Sequence, residues 1–469
     1  MNDDVILKVT NLKQHFRTGV GKYKIYNKAV DGVSFSIKRG EVFSLVGESG
    51  CGKTTIGRTI LKIYKPTDGE VYLQGKRIVA GYLGLRLENK ELKKDLKNYL
   101  KDLKMDSSLS KEEIKEKYVQ KQLETKTKIK ANKKEIKQRK IDQNSKYRPS
   151  KEAVEKVKAE SDQKIKDLKL LIQEETKDFL EFKANAFKET DSLPANTSDK
   201  VKKEIHDKEI KAYRERRALK ENRIKTYNDE IVHQSMIPKF YNRPLLNQIQ
   251  MVFQDPIDSL NPRMSVKDII AESLYINGIK NKKVVLDKVY EVLNLVGLQA
   301  NHISHYPHEF SGGQRQRIGV ARAIIAEPKL IIADEPISAL DVSIQAQIIN
   351  LLNELREELG LTIMFIAHDL SVVKFLSDKV AIMYYGKIVE MGTKDKIFNR
   401  PLHPYTLSLI SSIPMPDPNY EKERGPNIRY NPRQHDYRFD KPSLREIEPE
   451  HFIYANDKEF EEYKKRLNE

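Results

Sequence analysis

The sequence predicts an α/β fold, an open sheet with helices around it, that carries a long and basic α-helical insert. Two observations support this prediction. Several short apolar runs end directly in glycine-rich or polar residues, as strands do when their carboxyl ends line the ligand site of an open α/β sheet. Residues 81–240, by contrast, are highly charged, and their few apolar residues recur at helical spacing.

Composition limits the possible partners and the cellular environment. The 469 residues are enough for about two to three ordinary domains. The net charge of +17 favours an anionic partner, either nucleic acid or a membrane surface. Cys51 is the only cysteine, which excludes an intrachain disulfide or a cysteine metal cage and fits a reducing compartment. With no run approaching 18 apolar residues and no secretory pattern at the start, we expect a cytosolic chain or one on the cytosolic face of a membrane.

The residues before the first glycine-rich segment predict two strands and an aromatic contact for a base. Residues 5–9 alternate as an edge strand does, and residues 29–37 form the second strand. Phe16, Tyr23 and Tyr26 are either ordinary surface aromatics or candidates to stack on an adenine ring, a contact worth about 0.5–1.5 kcal/mol. We favour Phe16 for this contact, with Tyr26 second.

A phosphate-binding loop is the most specific signal in the chain. GESGCGKTT, residues 47–55, has the spacing G-x-x-x-x-G-K-[ST] and lies between an apolar strand and a predicted helix at residues 56–64. Its glycines let backbone N–H groups approach phosphate oxygens, and the helix N-terminus adds a partial positive charge. Lys53 would lie between the β- and γ-phosphates, and the Thr54 hydroxyl would complete a Mg²⁺ shell. This stretch therefore predicts a nucleoside triphosphate site.

The insert is predicted to be helical and basic. It follows a predicted β-hairpin at residues 69–78, and residues 81–240 contain 42 Lys and Arg against 30 Asp and Glu. A capping box at residues 110–113 and breaks at 144–150 and 192–198 indicate three helices, arranged as an antiparallel coiled coil. One of them carries an apolar stripe made by Ile165, Leu168, Ile172, Phe179 and Phe182.

Three interpretations of the insert remain open. It is a solvated structural hairpin, a surface for anionic lipid or a partner subunit, or a nucleic-acid-binding element. Lys predominates over Arg, and the aromatic residues are scattered rather than interleaved for base stacking, which disfavours nucleic acid.

Polar residues follow three further apolar strands. IQMVFQDP, residues 249–256, brings Gln254 to a strand end, where it either touches Mg²⁺ or the attacking water or has only a structural role. LIIADEP ends in Asp334, which suits the water shell of Mg²⁺, and Glu335, which can deprotonate the attacking water. His368 follows the strand of LTIMFIAHDL, so we expect it to contact the γ-phosphate rather than serve in packing.

A second phosphate cradle lies in SGGQRQR, residues 311–317. Ser311, Gly312 and Gly313 begin a predicted helix, where backbone N–H groups favour an anion. One γ-phosphate does not need two cradles in one chain. The simplest explanation is that this cradle serves a nucleotide held by a second subunit.

Taken in order, these segments resemble the motifs of the ATP-binding subunits of ABC transporters. GESGCGKTT resembles Walker A, IQMVFQDP the Q-loop, FSGGQRQR the signature, LIIADEP Walker B, SALD (338–341) the D-loop and FIAHD the switch histidine. The resemblance covers residues 1–80 and 246–418. It implies an ABC-type P-loop ATPase with a RecA-like core sheet, an antiparallel β subdomain and a helical subdomain, and with ATP and Mg²⁺ bound.

The resemblance also assigns roles to residues. Catalysis falls to Gln254, Glu335 and His368, and Mg²⁺ to Thr54, Gln254 and Asp334. The implied nucleotide contacts are Phe16, Gly47, Glu48, Ser49, Gly50, Cys51, Gly52, Lys53, Thr54, Thr55, Ser311, Gly312, Gly313, Gln314 and Asp341.

RPLHPYTLSLISSIPMPDP, residues 400–418, resembles a tail motif specific to oligopeptide, dipeptide and nickel importers. This implies ATP-driven oligopeptide uptake by a subunit lying peripherally on the cytoplasmic face of the cell membrane. The implied partners are a second, related ATPase in a head-to-tail heterodimer, two transmembrane permease subunits and, indirectly, an extracellular peptide-binding protein. No nucleic-acid partner is expected.

Two features depart from this family. The cysteine cluster that holds an iron–sulfur cluster in many relatives is missing, because no cysteine follows residue 51. The insert has no counterpart with a known role, and we expect its positive charge to meet anionic lipid headgroups. We expect four parts, residues 1–80, 81–245, 246–400 and 401–469, with irregular structure after residue 417 and a final helix at 458–466.

A rival class is the soluble ABC ATPases that act on nucleic acid, as in translation or chromosome maintenance. Members of the first group usually carry two cassettes in a chain, and this chain has one set of motifs. Members of the second place far longer coiled coils after the Q-loop, whereas this insert precedes it. Co-purification with membrane proteins rather than ribosomes or DNA separates the two classes.

Overall fold

The computed structural model describes residues 4–19, 25–105, 110–145, 147–194, 197–413 and 428–468. They pack as two compact units. The first unit comprises Met1–Tyr147, Leu245–Ile270 and Val289–Glu469, and the second comprises Arg148–Pro244 and Ala271–Lys288. Within the described residues no helix combines the length and the apolar character needed to cross a membrane.

Two sheets lie in the first unit. In sheet order, the larger is β11-β12-β10-β9-β3-β8-β7-β6 and the smaller is β2-β1-β4-β5. The strands are β1 Val5–Thr18, β2 Ile25–Lys38, β3 Val42–Val46, β4 Asp68–Leu73, β5 Lys76–Ala80, β6 Ile249–Val252, β7 Leu330–Asp334, β8 Thr362–Ala367, β9 Lys379–Tyr384, β10 Lys387–Thr393, β11 Ser443–Glu448 and β12 His451–Ala455.

The larger sheet gathers the predicted site strands at one edge. β3 pairs in parallel with both β8 and β9, and β7 pairs in parallel with both β6 and β8. β3, β7 and β8 are buried along their whole length, which explains their continuous apolar sequence. Because these strands are parallel, their carboxyl ends meet at one edge, and the prediction of an α/β fold is confirmed.

The smaller sheet is antiparallel throughout. The predicted hairpin at residues 69–78 is present as β4 and β5, which turn at Gln74 and Gly75. The expectation that residues 5–9 form an edge strand is wrong: β1 continues to Thr18 and pairs with β2 on one side and β4 on the other. Alternation alone shows which face of a strand is buried and says nothing about how many neighbours it has.

The helices are spread over both units. Their bounds are α1 Lys53–Ile60, α2 Leu83–Met105, α3 Lys111–Asn144, α4 Lys151–Asn185, α5 Lys188–Asp191, α6 Asp199–Tyr241, α7 Pro256–Ser259, α8 Val266–Ile276, α9 Lys282–Leu295, α10 Gly312–Ile324, α11 Val342–Leu359, α12 Leu370–Leu376, α13 Lys394–Asn399, α14 Pro404–Ser411 and α15 Asp457–Asn468.

The insert contains more helices than predicted. The Ser110–Glu113 capping box begins α3 as expected, and the breaks around residues 145–150 and 192–198 are confirmed. Upstream of the box, however, the described residues form a separate helix, α2, and α5 is a further single turn. Leu92, Leu96 and Leu103 recur at helical spacing and could have revealed α2 in advance.

Charged side chains attach α3 to the small sheet within the first unit. Arg77 of β5 lies 2.7 Å from Glu135 and 2.6 Å from Asp142, both on α3. Arg139 of α3 donates to the carbonyl oxygen of Gly81 at 2.6 Å. Burial opposes ionisation of Asp142, but hydrogen bonds, first from Arg77, outweigh it and hold the pKa of Asp142 below its usual value. The C-terminal part of α3 is thereby fixed to β5.

In the second unit, α4 packs against α6 along the predicted apolar stripe. Phe179 is 6% exposed, and its ring centroid lies 5.8 Å from that of Tyr213. Glu175 lies 2.9 Å from both Arg216 and Arg223. A hydrogen bond from Arg223 is the main cause that lowers the pKa of Glu175. The buried carboxylate fixes the register of the two helices because both of its arginines come from α6.

The tail is more regular than predicted. Residues 414–427, where irregular structure was expected to begin, lie outside the described residues. The expectation of irregular structure is wrong for residues 443–455. There β11 and β12 form a hairpin, and β12 pairs antiparallel with β10 of the larger sheet. Phe452, Ile453 and Tyr454 form a short β-branched and aromatic run, which is a strand signal that was available in the sequence. The predicted final helix is present as α15.

Candidate nucleotide site

The phosphate loop connects β3 to α1 and depends on glycine. Gly52 adopts φ +108, and a Cβ there would lie 2.0 Å from the carbonyl oxygen of Ala29. Only glycine fits this position without moving the backbone. The Lys53 side chain is 3% exposed, and its ammonium donates to the carbonyl oxygens of Gly47 at 2.7 Å and Glu48 at 3.0 Å. The ammonium group of Lys53 is thus held beside the first two residues of the loop.

Thr54 and Asp334 meet beside this loop. The Thr54 hydroxyl donates to Asp334 Oδ1 at 2.7 Å. Asp334 is 1% exposed, and its Oδ2 has no hydrogen-bond partner among the described residues. Burial raises the pKa of Asp334. A hydroxyl beside a buried carboxylate oxygen with no partner matches the oxygen ligands that Mg²⁺ prefers, so these residues fit that ion.

Glu335 is the centre of the site. Its Oε2 accepts a hydrogen bond from Gln254 Nε2 at 3.1 Å and lies 3.2 Å from His368 Nδ1. Its Oε1 lies 3.7 Å from the Lys53 ammonium. Three residues, Lys53 from the phosphate loop and Gln254 and His368 from the segments that follow β6 and β8, therefore converge on one carboxylate.

The backbone of Glu335 is in an unusual conformation. Its φ of +46 lies in the left-handed region, which non-glycine residues seldom adopt. The Glu335 amide donates to the carbonyl oxygen of Ile366 on β8 at 2.9 Å, and Ser338 Oγ donates to the Glu335 carbonyl at 3.1 Å. Strain of this kind persists where surrounding structure imposes it, and it is common at functional sites.

The second predicted cradle, residues 311–313, forms the N-terminus of helix α10 and is not part of the phosphate loop. Ser311 Oγ accepts from the Gln314 amide at 3.3 Å, and Gln314 Oε1 accepts from the Ser311 amide at 3.0 Å, which completes a capping box on α10. A Cβ on Gly313 would meet Ile344 of α11 at 2.5 Å. In the described residues, the side-chain hydrogen bonds of Ser311 and Gln314 are made with each other and not with the phosphate loop.

The remaining predicted residues lie around this framework. Asp341 is at the N-cap position of α11 without a side-chain capping bond. Phe16 is half-buried, and its ring meets that of Tyr64 edge-on with centroids 5.3 Å apart. Tyr26 is 53% exposed on β2, and Tyr23 lies outside the described residues. Cys51 is buried in the loop, and burial raises the pKa of its thiol.

One residue that contacts the phosphate loop was not predicted from the sequence. The Glu48 amide donates to the hydroxyl oxygen of Tyr405 at 3.3 Å. Tyr405 belongs to the HPYT segment at the start of α14, and it is 1% exposed. That segment was recognised only as a tail motif, because nothing in a linear sequence joins residues 357 positions apart.

Comparison with models of protein families shows which family the chain belongs to. The model of the ABC transporter family matches residues 30–232 and 218–338. The chain belongs to the ABC transporter family. Its motifs are therefore those of an ATP-hydrolysing ABC ATPase. A second model, for the C-terminal region of oligopeptide/dipeptide transporters, matches residues 389–437, which include Tyr405.

The chain is also similar to curated proteins and to solved structures. An oligopeptide transport ATP-binding protein OppF of Bacillus subtilis is 35% identical over 460 residues, covering 98% of each chain. AmiF of Streptococcus pneumoniae, also named an oligopeptide transport ATP-binding protein, is 53% identical over 225 residues, which are 48% of this chain and 73% of the relative. The structure of cbiO1 from Clostridium perfringens aligns with a TM-score of 0.44 and 19% identity, covering 87% of this chain and 95% of that one.

Proposed function

We propose that this ABC ATPase powers uptake of oligopeptides as a peripheral subunit on the cytoplasmic face of the cell membrane. The observation that supports ATP hydrolysis is the position of the Glu335 carboxylate, which lies within 4 Å of groups from Lys53, Gln254 and His368. The substrate class rests on residues 389–437, which match the C-terminal region of oligopeptide/dipeptide transporters, and on the names of the relatives.

The proposed reaction is in-line attack of water on the γ-phosphate of ATP. Lys53 neutralises phosphate charge, and loop N–H groups hold the phosphates. Glu335 orients the water and accepts its proton. Gln254 and His368 hold the Glu335 carboxylate by hydrogen bonds and sense whether the γ-phosphate is present. Thr54 and Asp334, with Gln254, would hold Mg²⁺, which spreads the charge of the phosphate oxygens. Most of the rate enhancement then comes from positioning and electrostatic stabilisation.

A second chain completes the site in this proposal. Ser311, Gly312 and Gly313, with Asp341, contact the nucleotide held by a related ATPase subunit, in a head-to-tail heterodimer. The α10 N-terminus supports this assignment because its backbone donors form a cradle separate from the phosphate loop. Phe16 stacks on the adenine. Gln254 and its loop receive the coupling helices of two transmembrane permease subunits, and an extracellular peptide-binding protein delivers the cargo to those permeases.

Peptide uptake tests the proposed function. In cells whose only copy of the chain is deleted, uptake of a labelled tetrapeptide is expected to fall to background, and the unaltered chain is expected to restore it. Uptake of the corresponding free amino acids serves as the control and should not change. Normal tetrapeptide uptake after deletion, together with co-purification of the chain with ribosomes or DNA, would favour the nucleic-acid class instead.

For the insert we propose contact with anionic lipid through α3. Residues 81–147 contain 20 Lys and Arg against 11 Asp and Glu, whereas residues 148–244 contain 23 against 19, so the positive surplus lies mainly before residue 148. Four exposed lysines follow the spacing i, i+4, i+7 and i+11 along α3 and therefore share one face. They are Lys126, Lys130, Lys133 and Lys137, which we call the lysine stripe.

Removing the lysine stripe is expected to weaken membrane binding. Each basic residue near an anionic surface contributes about 1 kcal/mol, so changing all four to Gln should reduce binding to vesicles containing phosphatidylglycerol by at least about tenfold. The measurement is co-sedimentation of the full chain with vesicles at physiological ionic strength. Vesicles of neutral lipid should bind neither protein.

The matched control removes the same charge from another helix. Lys156, Lys158, Lys166 and Lys169 are exposed on α4, and changing them to Gln lowers the net charge equally. Binding that falls equally in both variants would show an effect of net charge alone and would contradict a stripe-specific contact. Unchanged binding in the stripe variant would contradict lipid contact through α3.

A further inference from the structure

The C-terminal tail contacts the phosphate loop through one hydroxyl group. Glu48 is the second residue of the loop, and its backbone N–H donates to the Tyr405 hydroxyl oxygen at 3.3 Å. Tyr405 lies 357 positions further along the chain, outside every motif that touches the nucleotide in the proposed mechanism. The contact therefore joins the segment typical of peptide transporters to the element that holds phosphate.

Hydrogen bonds fix the backbone that carries Tyr405. The amides of Leu402 and His403 donate to the two carboxylate oxygens of Glu390 at 2.9 and 3.0 Å. The Tyr405 amide donates to His403 Nδ1 at 3.1 Å. Burial lowers the pKa of His403 to about 3, so its ring is neutral and Nδ1 can accept this bond. Glu390 and His403 are both buried, which makes this turn a rigid support.

Two aromatic rings, one from β9 and one from the tail, pack against the Tyr405 ring. Its centroid lies 4.5 Å from that of Tyr384 on β9 and 5.4 Å from that of Tyr430. The Tyr430 amide donates to Ser408 Oγ at 3.3 Å, which ties residues after 428 to α14. Burial raises the pKa of Tyr405, so the hydroxyl stays protonated at physiological pH. The ring is thus held in one position with a neutral oxygen facing Glu48.

We propose that Tyr405 is a positioning residue for ATP, whose hydroxyl orders the first turn of the phosphate loop and so sets nucleotide affinity. A loop that is ordered before binding loses less conformational entropy when the phosphates arrive. The inference rests on the proposed function, since it assumes that residues 47–55 hold the phosphates of ATP. It assigns to the tail of this chain a role in nucleotide binding.

The test is Tyr405→Phe, which removes the hydroxyl and keeps the ring. One net hydrogen bond corresponds to roughly three- to tenfold in an equilibrium constant, so the Kd of the full chain for MgATP should rise by about that factor. In the assembled complex, the KM for ATP should rise while kcat stays within about twofold, since Tyr405 does not touch the reacting atoms. A Kd within twofold of that of the unaltered chain would overturn the inference.

Two further proteins separate this inference from the proposed function. Tyr437→Phe is the matched control, because Tyr437 stacks on His435 in the same tail, 5.2 Å between centroids, without contacting the loop; its MgATP affinity should not change. Lys53→Ala tests the phosphate site itself and should abolish MgATP binding. Retained binding in Lys53→Ala would refute the phosphate site, whereas equal affinities of Tyr405→Phe and the unaltered chain would refute only the role of Tyr405.

Hydrogen exchange distinguishes positioning from general loss of stability. The peptide covering residues 47–52 should exchange faster in Tyr405→Phe, while α10 should exchange as in the unaltered chain. Equal exchange of residues 47–52 in the two proteins would overturn the inference even if affinity fell, because the loop would then be ordered without the hydroxyl.

Discussion

Glu335→Gln is expected to lower ATP turnover by roughly 10²–10⁴-fold, the usual contribution of a general base, while MgATP still binds. Glutamine has the size of glutamate and can still meet Gln254 and His368, which contact Glu335 Oε2 at 3.1 and 3.2 Å. Its amide cannot accept the proton of the attacking water. Because hydrolysis reopens the two subunits in the proposed cycle, the variant should accumulate as a nucleotide-bound dimer with its partner.

The experiment compares turnover and size in the same preparation. Phosphate release measures turnover, and size-exclusion chromatography with MgATP reports the trapped dimer. Glu357→Gln is the control, since Glu357 is exposed on α11 and its change should leave both unaltered. Turnover of Glu335→Gln within tenfold of the unaltered complex would reject Glu335 as the base.

Gly312→Asp is expected to reduce turnover of the assembled complex by about 10²-fold or more and to leave MgATP binding by the isolated chain unchanged. The carboxylate would stand at the α10 N-terminus, where the proposal puts the γ-phosphate of the partner's nucleotide, and two anions repel each other there. The local fold should tolerate the change, because a Cβ on Gly312 meets Leu340 at 3.4 Å, an ordinary contact.

The matched control is Gly312→Ala, which adds the Cβ without the charge and should retain most of the turnover. Calorimetric titration of each isolated chain with MgATP gives the binding constants. Loss of MgATP binding by isolated Gly312→Asp would mean that this cradle serves the nucleotide of its own chain, contrary to the proposal.

The sequence was sufficient for the residues that converge at the strand ends. Gln254, Asp334 and His368 lie at the ends of apolar runs, and parallel strands place their carboxyl ends at one edge, so their position along one edge of the sheet could be predicted. The left-handed backbone conformation of Glu335 could not be predicted, because it depends on a hydrogen bond to Ile366 of a neighbouring strand. Propensity rules describe local preference, and tertiary contacts override it here.

Three of the misses share a cause. β1 pairs on both sides, β12 joins the large sheet, and Tyr405 reaches Glu48, all through contacts between distant positions. Alternation in a strand or a motif in a tail predicts a local element and does not identify its neighbour. The missed helix α2 is different, since its leucine spacing was available in the sequence and was masked by the many lysines around it.

The central claim is that one chain holds half of a reaction centre and a second ATPase chain supplies the rest. The most direct measurement is ATP turnover of a fixed, dilute concentration of this chain, monomeric by light scattering, as the partner ATPase carrying an inactive phosphate loop is added. Turnover should start near zero and rise to saturation with the partner. Full turnover by the monomer before any partner is added would contradict the claim.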